Sequence, residues 1–140
     1  MATLATTDSG RVAALAKPLA TAAAALAATA FVGVVDPNDP GHYPTCPFLA
    51  LTGAFCPGCG SLRAVHVLVN GDPAAAVGLN VLTVVGLVVL TVIWGRWAVR
   101  SWRGQPRSSV APAWSLYLML GAAVVFWVVR NLPVGEALAP

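Results

Sequence analysis

The residues best suited to chemistry are three cysteines, Cys46, Cys56 and Cys59, gathered in one stretch that also holds His42 and His66. Thiols so grouped support four chemistries: covalent haem attachment, dithiol exchange, metal binding and a structural disulfide. Covalent haem needs a histidine directly after the cysteine pair, and Gly60 follows Cys59, so that chemistry fails. Cys56-Pro57-Gly58-Cys59 has the spacing of a thioredoxin-type redox pair, and a helix starting beside Cys59 would lower its pKa. The alternating strand and helix pattern of a thioredoxin is absent, however, and Cys46 offers a competing partner.

The Cys-Pro-x-Cys-Gly pattern also looks like a zinc knuckle, in which glycine permits the turn that points both sulfurs at one ion. Cys46 would be the third ligand. A fourth is harder to find: on a helix starting at Cys59, the His66 backbone is about 10.5 Å away, whereas His42 sits on a flexible stretch that could reach. The simplest expectation is a structural disulfide from Cys46 to either Cys56 or Cys59, leaving one free thiol. Its short closed loop would contribute on the order of 2 to 3 kcal/mol.

Other catalytic chemistry finds no support. A nucleophile triad needs an acid and a base near the nucleophile, and Asp36, Asp39 and Asp72 are mostly turn or boundary residues. A proton relay or a haem held by two histidines in the bilayer would place ionisable groups within apolar segments, yet both histidines lie in the loop. The chain reads as noncatalytic, with no cofactor of its own and zinc as the alternative.

The elements that position the loop are set by composition. Of 140 residues 58% are hydrophobic and only 9% charged, a balance that belongs to lipid rather than water. Residues 18–35, 73–95 and 108–129 contain no Asp, Glu, Lys or Arg, and each window meets or approaches the roughly 20 residues a helix needs to cross a bilayer. The expected fold is an all-α membrane protein of three transmembrane helices, over residues 17–35, 73–97 and 112–131, with a short amphipathic helix over 59–70 in the first outer loop (36–72). An N-terminal segment (1–16), a basic loop (98–111) and a tail (132–140) complete the chain. Residues 74–78 are expected to run along the interface before the second span descends near Asn80.

Arg11, Lys17, Arg96, Arg100, Arg103 and Arg107 flank the spans on one side, against Arg63 and Arg130 on the other. The excess places the N-terminus and basic loop in the cytoplasm, and the cysteine loop and C-terminus on the outer face of a bacterial inner membrane. Trp94, Trp97, Trp102, Trp114 and Trp127 fit rings at headgroup depth. Arginines beside spans form membrane anchors, not a nucleic-acid stripe, despite the net charge of +3. A basic start, an apolar run and Ala28-Thr29-Ala30 also fit a cleavable secretory signal, which would leave the loop outside all the same. Ala20, Ala24 and Ala28 form a small-residue face expected to pack on protein.

Cys46-Pro47, Thr52-Gly53, Cys56-Pro57-Gly58-Cys59-Gly60-Ser61, Arg63-Ala64, Gly71-Asp72, Ala75-Ala76 and Asn80 together resemble the bacterial small membrane family catalogued as domain of unknown function 2752. The resemblance covers about Cys46 to Val92 and implies a membrane protein, without an established activity. Where that family often has proline after the asparagine, this chain has Asn80-Val81, so no proline-driven kink is expected there. The whole chain is also similar to a small accessory subunit of the actinobacterial cytochrome bcc-aa3 respiratory supercomplex. That similarity implies a noncatalytic subunit on the cytochrome c oxidase side, held by other integral membrane subunits of complexes III and IV and by lipid. Arg63 and His66 would be its partner contacts.

Overall fold

The computed structural model describes residues 3–39, 41–105 and 112–139. Among them every regular element is helical: α1 (Thr3–Val34), α2 (Pro47–Thr52), α3 (Ser61–Val69), α4 (Pro73–Trp102), α5 (Ala113–Arg130) and a terminal 3₁₀ turn, Pro133–Leu138. Arg107 lies outside the described residues.

The boundaries differ from the sequence expectation in four places. α1 does not begin at Lys17-Pro18; it starts at Thr3 and carries Pro18 in its interior. Proline there removes a helix amide, and the buried ring packs inside while the Pro18 carbonyl accepts a bond from Trp94 Nε1 at 3.1 Å. The amphipathic helix starts two positions late, at Ser61, because Gly60 takes a left-handed φ of 82° as its cap. Pro47–Thr52, part of the outer loop with no helix expected, is a turn and a half of helix opened by proline at its first position and closed by Gly53 at φ 71°. The second long helix continues to Trp102.

Between α3 and α4 the chain reverses as Gly71-Asp72-Pro73 suggests. Gly71 adopts φ 94°, the Asp72 carboxylate accepts from the Ala75 amide at 2.8 Å, and Pro73 occupies the first helical position, where a missing N–H costs nothing. Ala64 of α3 and Ala76 of α4 are wholly buried. α1 joins this hairpin at its C-terminal end, where a Cβ on Gly33 would lie 3.1 Å from Val69 Cγ1.

α4 breaks at Asn80, whose extended backbone (φ −164°, ψ 93°) divides residues 73–79 from the long apolar part. Asparagine achieves this without proline. Its Oδ1 accepts from the Thr83 amide at 2.9 Å, capping the new helix start, while its Nδ2 donates to the carbonyls of Pro57 and Cys59 at 2.9 and 3.0 Å.

Ala13–Val34 and Pro73–Trp102 are long and apolar enough to cross a membrane; Trp114–Arg130 is apolar but shorter. The distribution of side chains is inverted relative to a water-soluble domain. Among the described residues the buried hydrophobics are Val32, Cys59, Ala64 and Ala76, whereas Val85, Val88, Leu90, Leu118 and Leu120 are more than half exposed. The most deeply buried large side chains include Asn80 and Arg130, each 1% exposed. Ala20, Ala24 and Ala28 are exposed, so their face packs on nothing among the described residues.

Replacing Asn80 with Ala removes the cap and leaves the Pro57 carbonyl unpaired, a loss of roughly 2 to 4 kcal/mol. Thermal melting of the detergent-solubilised protein should fall by a margin matching that loss. An unchanged transition would mean that the break in α4 does not depend on this amide.

Candidate functional site

The site is the turn over residues 55–60 with Cys46 beside it. Cys59 N–H bonds the Cys56 carbonyl at 3.1 Å and Ser61 N–H the Gly58 carbonyl at 3.0 Å, so the Cys-Pro-Gly-Cys-Gly run closes as two successive turns. This brings Cys56 Sγ to 3.1 Å from Cys59 Sγ, and the Cys56 amide donates to Cys59 Sγ at 3.2 Å. Cys46, at the N-terminus of α2, comes to 3.6 Å from Cys56 Sγ. All three sulfurs lie within 4.8 Å of one another and are free thiols.

Three polar side chains from the ends of the apolar helices hold this turn by its backbone. Asn80 takes the Pro57 and Cys59 carbonyls, as described above. Arg130, the last residue of α5, donates from Nη1 to the carbonyls of Cys56 (3.0 Å) and Cys59 (3.1 Å). Asn131 makes a reciprocal pair with Phe55, accepting its N–H and donating to its carbonyl, both at 2.8 Å. The guanidinium of Arg130 also lies over Phe126 and Phe55, at 4.9 and 5.7 Å from the ring centroids. Its Nε and Nη2 are buried without a hydrogen-bond acceptor among the described residues.

Arg130 therefore corrects the sequence expectation. It is not a flanking charge in contact with water or headgroups; it is a buried cation beside Cys56 and Cys59. Asn80 and Asn131 are likewise absent from the expected site residues. The available signal is their chemistry: Asn80 is an amide inside an uncharged apolar run, and Arg130-Asn131 terminates another.

The other expected site residues are placed as follows. His66 Nδ1 bonds the Val32 carbonyl at 2.8 Å, which requires the proton on that nitrogen, and Nε2 is 3.9 Å from Asp36. His66 thus ties α3 to the end of α1 and is not part of the thiol cluster. Arg63 is exposed and lines a cavity of about 350 Å³ that also touches Cys46 and Cys59. His42 is exposed and lies outside both cluster and cavity lining. Trp127 packs edge-on against Phe48 of α2 at 5.9 Å. Trp94 and Trp97 are half-buried; Trp102 and Trp114 are 62% and 65% exposed. Arg96 and Arg103 are exposed and Arg100 is half-buried.

The three thiols are not equivalent. The Leu49 amide in the first turn of α2, and then the Cys56 thiol, hold Cys46 below the usual thiol range. Burial pushes Cys59 up to about 12, reinforced by the bond from Cys56. Asp36 is held low mainly by the Asn38 amides.

Against known proteins, residues 46–94 match the profile of a family described as "Protein of unknown function (DUF2752)". The match spans the cysteine loop, α2, α3 and α4 as far as Trp94, and bears out the resemblance carried by the Cys-Pro-Gly-Cys-Gly motif. No curated protein and no solved structure matches the chain.

The inequality of the thiols sets an order of reaction. In reduced, metal-free protein near pH 8, iodoacetamide should modify Cys46 first and Cys59 last, read by peptide mass spectrometry over time. Cys59 keeping pace with Cys46 would show that its burial does not suppress the thiolate.

Proposed function

We propose that this chain is a small integral membrane protein whose working part is a three-thiolate metal centre, suited to zinc, formed by Cys46, Cys56 and Cys59. The observation that carries this reading is the convergence of all three sulfurs within 4.8 Å. Three ligands at the zinc–sulfur bond length stand about 3.8 Å apart, close to the 3.1 and 3.6 Å separations of Cys56 from its two neighbours.

Charge supports a divalent ion. Three thiolates and one divalent cation leave a formal charge of minus one, and Arg130 places a buried positive charge next to two of the three cysteines. An isolated buried guanidinium is costly, and a compensating anionic centre removes much of that cost. A bound ion also favours the thiolate at Cys59, which burial otherwise keeps protonated.

The test is zinc analysis of the purified protein, with intact mass measured with and without reductant. We expect about one zinc per chain. Replacing any of the three cysteines with Ser should abolish stoichiometric zinc, and Arg130→Gln should lower affinity by about ten- to a hundredfold with all thiols intact. A readily exchanged disulfide with no metal would replace this reading by the thiol-exchange one.

α1, α4 beyond Asn80 and α5 support a three-span arrangement. Val32 and Gly33, Asn80, and Arg130 lie at the ends of three apolar helices and all border the loop region. With the arginine bias, this favours the thiols on the outer face of a bacterial inner membrane and the N-terminus inside. The exposed Ala20, Ala24 and Ala28 face then favours a second, compatible role as a noncatalytic accessory subunit packed on a larger membrane complex, the respiratory bcc-aa3 assembly being the one that the whole-chain resemblance implies. Mild-detergent purification through a tag on this chain should recover oxidase haem absorbance, and impermeant maleimide should reach the thiols on intact cells. Absence of haem and large subunits would remove the respiratory placement, and labelling only after lysis would reverse the orientation.

A further inference from the structure

The thiol cluster is complete on three sides only. Among the described residues no histidine, carboxylate or further cysteine joins Cys46, Cys56 and Cys59 as a fourth donor. His66 is engaged at Val32, and His42 is absent from the cluster. Metal sites with three protein ligands leave a coordination position for a ligand from outside, whereas purely structural zinc sites are filled by four side chains.

The surroundings say where that position opens. Arg130, Asn80 and Asn131 hold the backbone of the turn from the helix side. Elsewhere Cys46 and Cys59 border the cavity of about 350 Å³, whose wall also includes Tyr43, Ser61, Asp39 and Arg63. Its volume lies at the lower end of small-molecule sites. A sulfur-rich centre is soft and prefers a soft donor.

Resting on the metal reading above, we propose that the Cys46–Cys56–Cys59 centre is open towards this cavity and takes its fourth ligand from solution, a small thiol bound through its thiolate sulfur. Binding is a ligand substitution that releases one proton. The incoming S–H loses its proton to solvent, the sulfur lone pair forms the metal bond, any weakly held water leaves, and no oxidation state changes. Arg63 on the cavity wall offsets the added negative charge.

Cobalt(II) in place of zinc makes the coordination visible in the full-length protein in detergent, with 2-mercaptoethanol as the probe thiol. We expect one cobalt per chain with tetrahedral bands, and a saturable shift on adding thiol. Sulfur-to-metal absorption should rise by roughly a third as three sulfur ligands become four. His42→Ala should leave the starting spectrum unchanged. A spectrum indifferent to thiol, bands lost through extraction of the cobalt, or bands altered by His42→Ala would each overturn the open position. Failure to bind cobalt at all would instead sink the metal reading on which it stands.

Discussion

In a chain with so apolar an exterior, the turn over residues 55–60 presents a difficulty that the rest of the structure answers. The bonds to its Cys59 carbonyl are buried and those to its Cys56 and Pro57 carbonyls part-buried, and a buried carbonyl left unpaired costs about 1 to 3 kcal/mol. The partners come from the ends of the apolar helices: Asn80 for Pro57 and Cys59, Arg130 for Cys56 and Cys59, Asn131 for Phe55. These bonds fix the backbone that carries Cys56 and Cys59, and Asn80 simultaneously caps the long part of α4. The same contacts therefore set the sulfur positions and the joints of the helices.

Cys46 is positioned by different means. Pro47 starts α2, Gly53 ends it, and Phe48 stacks edge-on with Trp127 of α5, one turn before Arg130. The third sulfur and the buried cation are thereby referred to the same helix. α3 links the assembly to α1 through His66 and Val32, and through Gly33 against Val69. The cysteine loop is a folded cap over three helix ends, not a tether between them.

Much of this is legible in the residues. Gly71-Asp72-Pro73 marks the end of one helix and the start of the next, and both occur. The uncharged windows give the long helices, and the descent near Asn80 coincides with the break in α4. The unread parts share a cause, which is distance along the chain. Arg130 at the end of an apolar helix looks like any interfacial anchor, and its acceptors are 71 and 74 residues away. Pro18 reads as a helix start because nothing local shows that a segment before it is helical or that Trp94 meets its carbonyl. The short α2 escapes a reading by pattern because residues 45–51 lack a helical period, and one proline and one glycine set its ends. The nearness of three cysteines can be seen from spacing; their convergence needs α2.

α5 has no extended packing against α1 or α4 among the described residues, and Leu116, Tyr117, Leu118, Met119 and Leu120 along it are all exposed. Its fastening is at the C-terminal end, through Arg130 and Asn131, where the chain folds back so closely that a Cβ on Gly135 would collide with the Val129 carbonyl. A rod clamped at one end pivots there. Any swing of the distant end turns about this fulcrum, and the sulfurs, sitting beside it, keep their spacing while the rest of the rod moves.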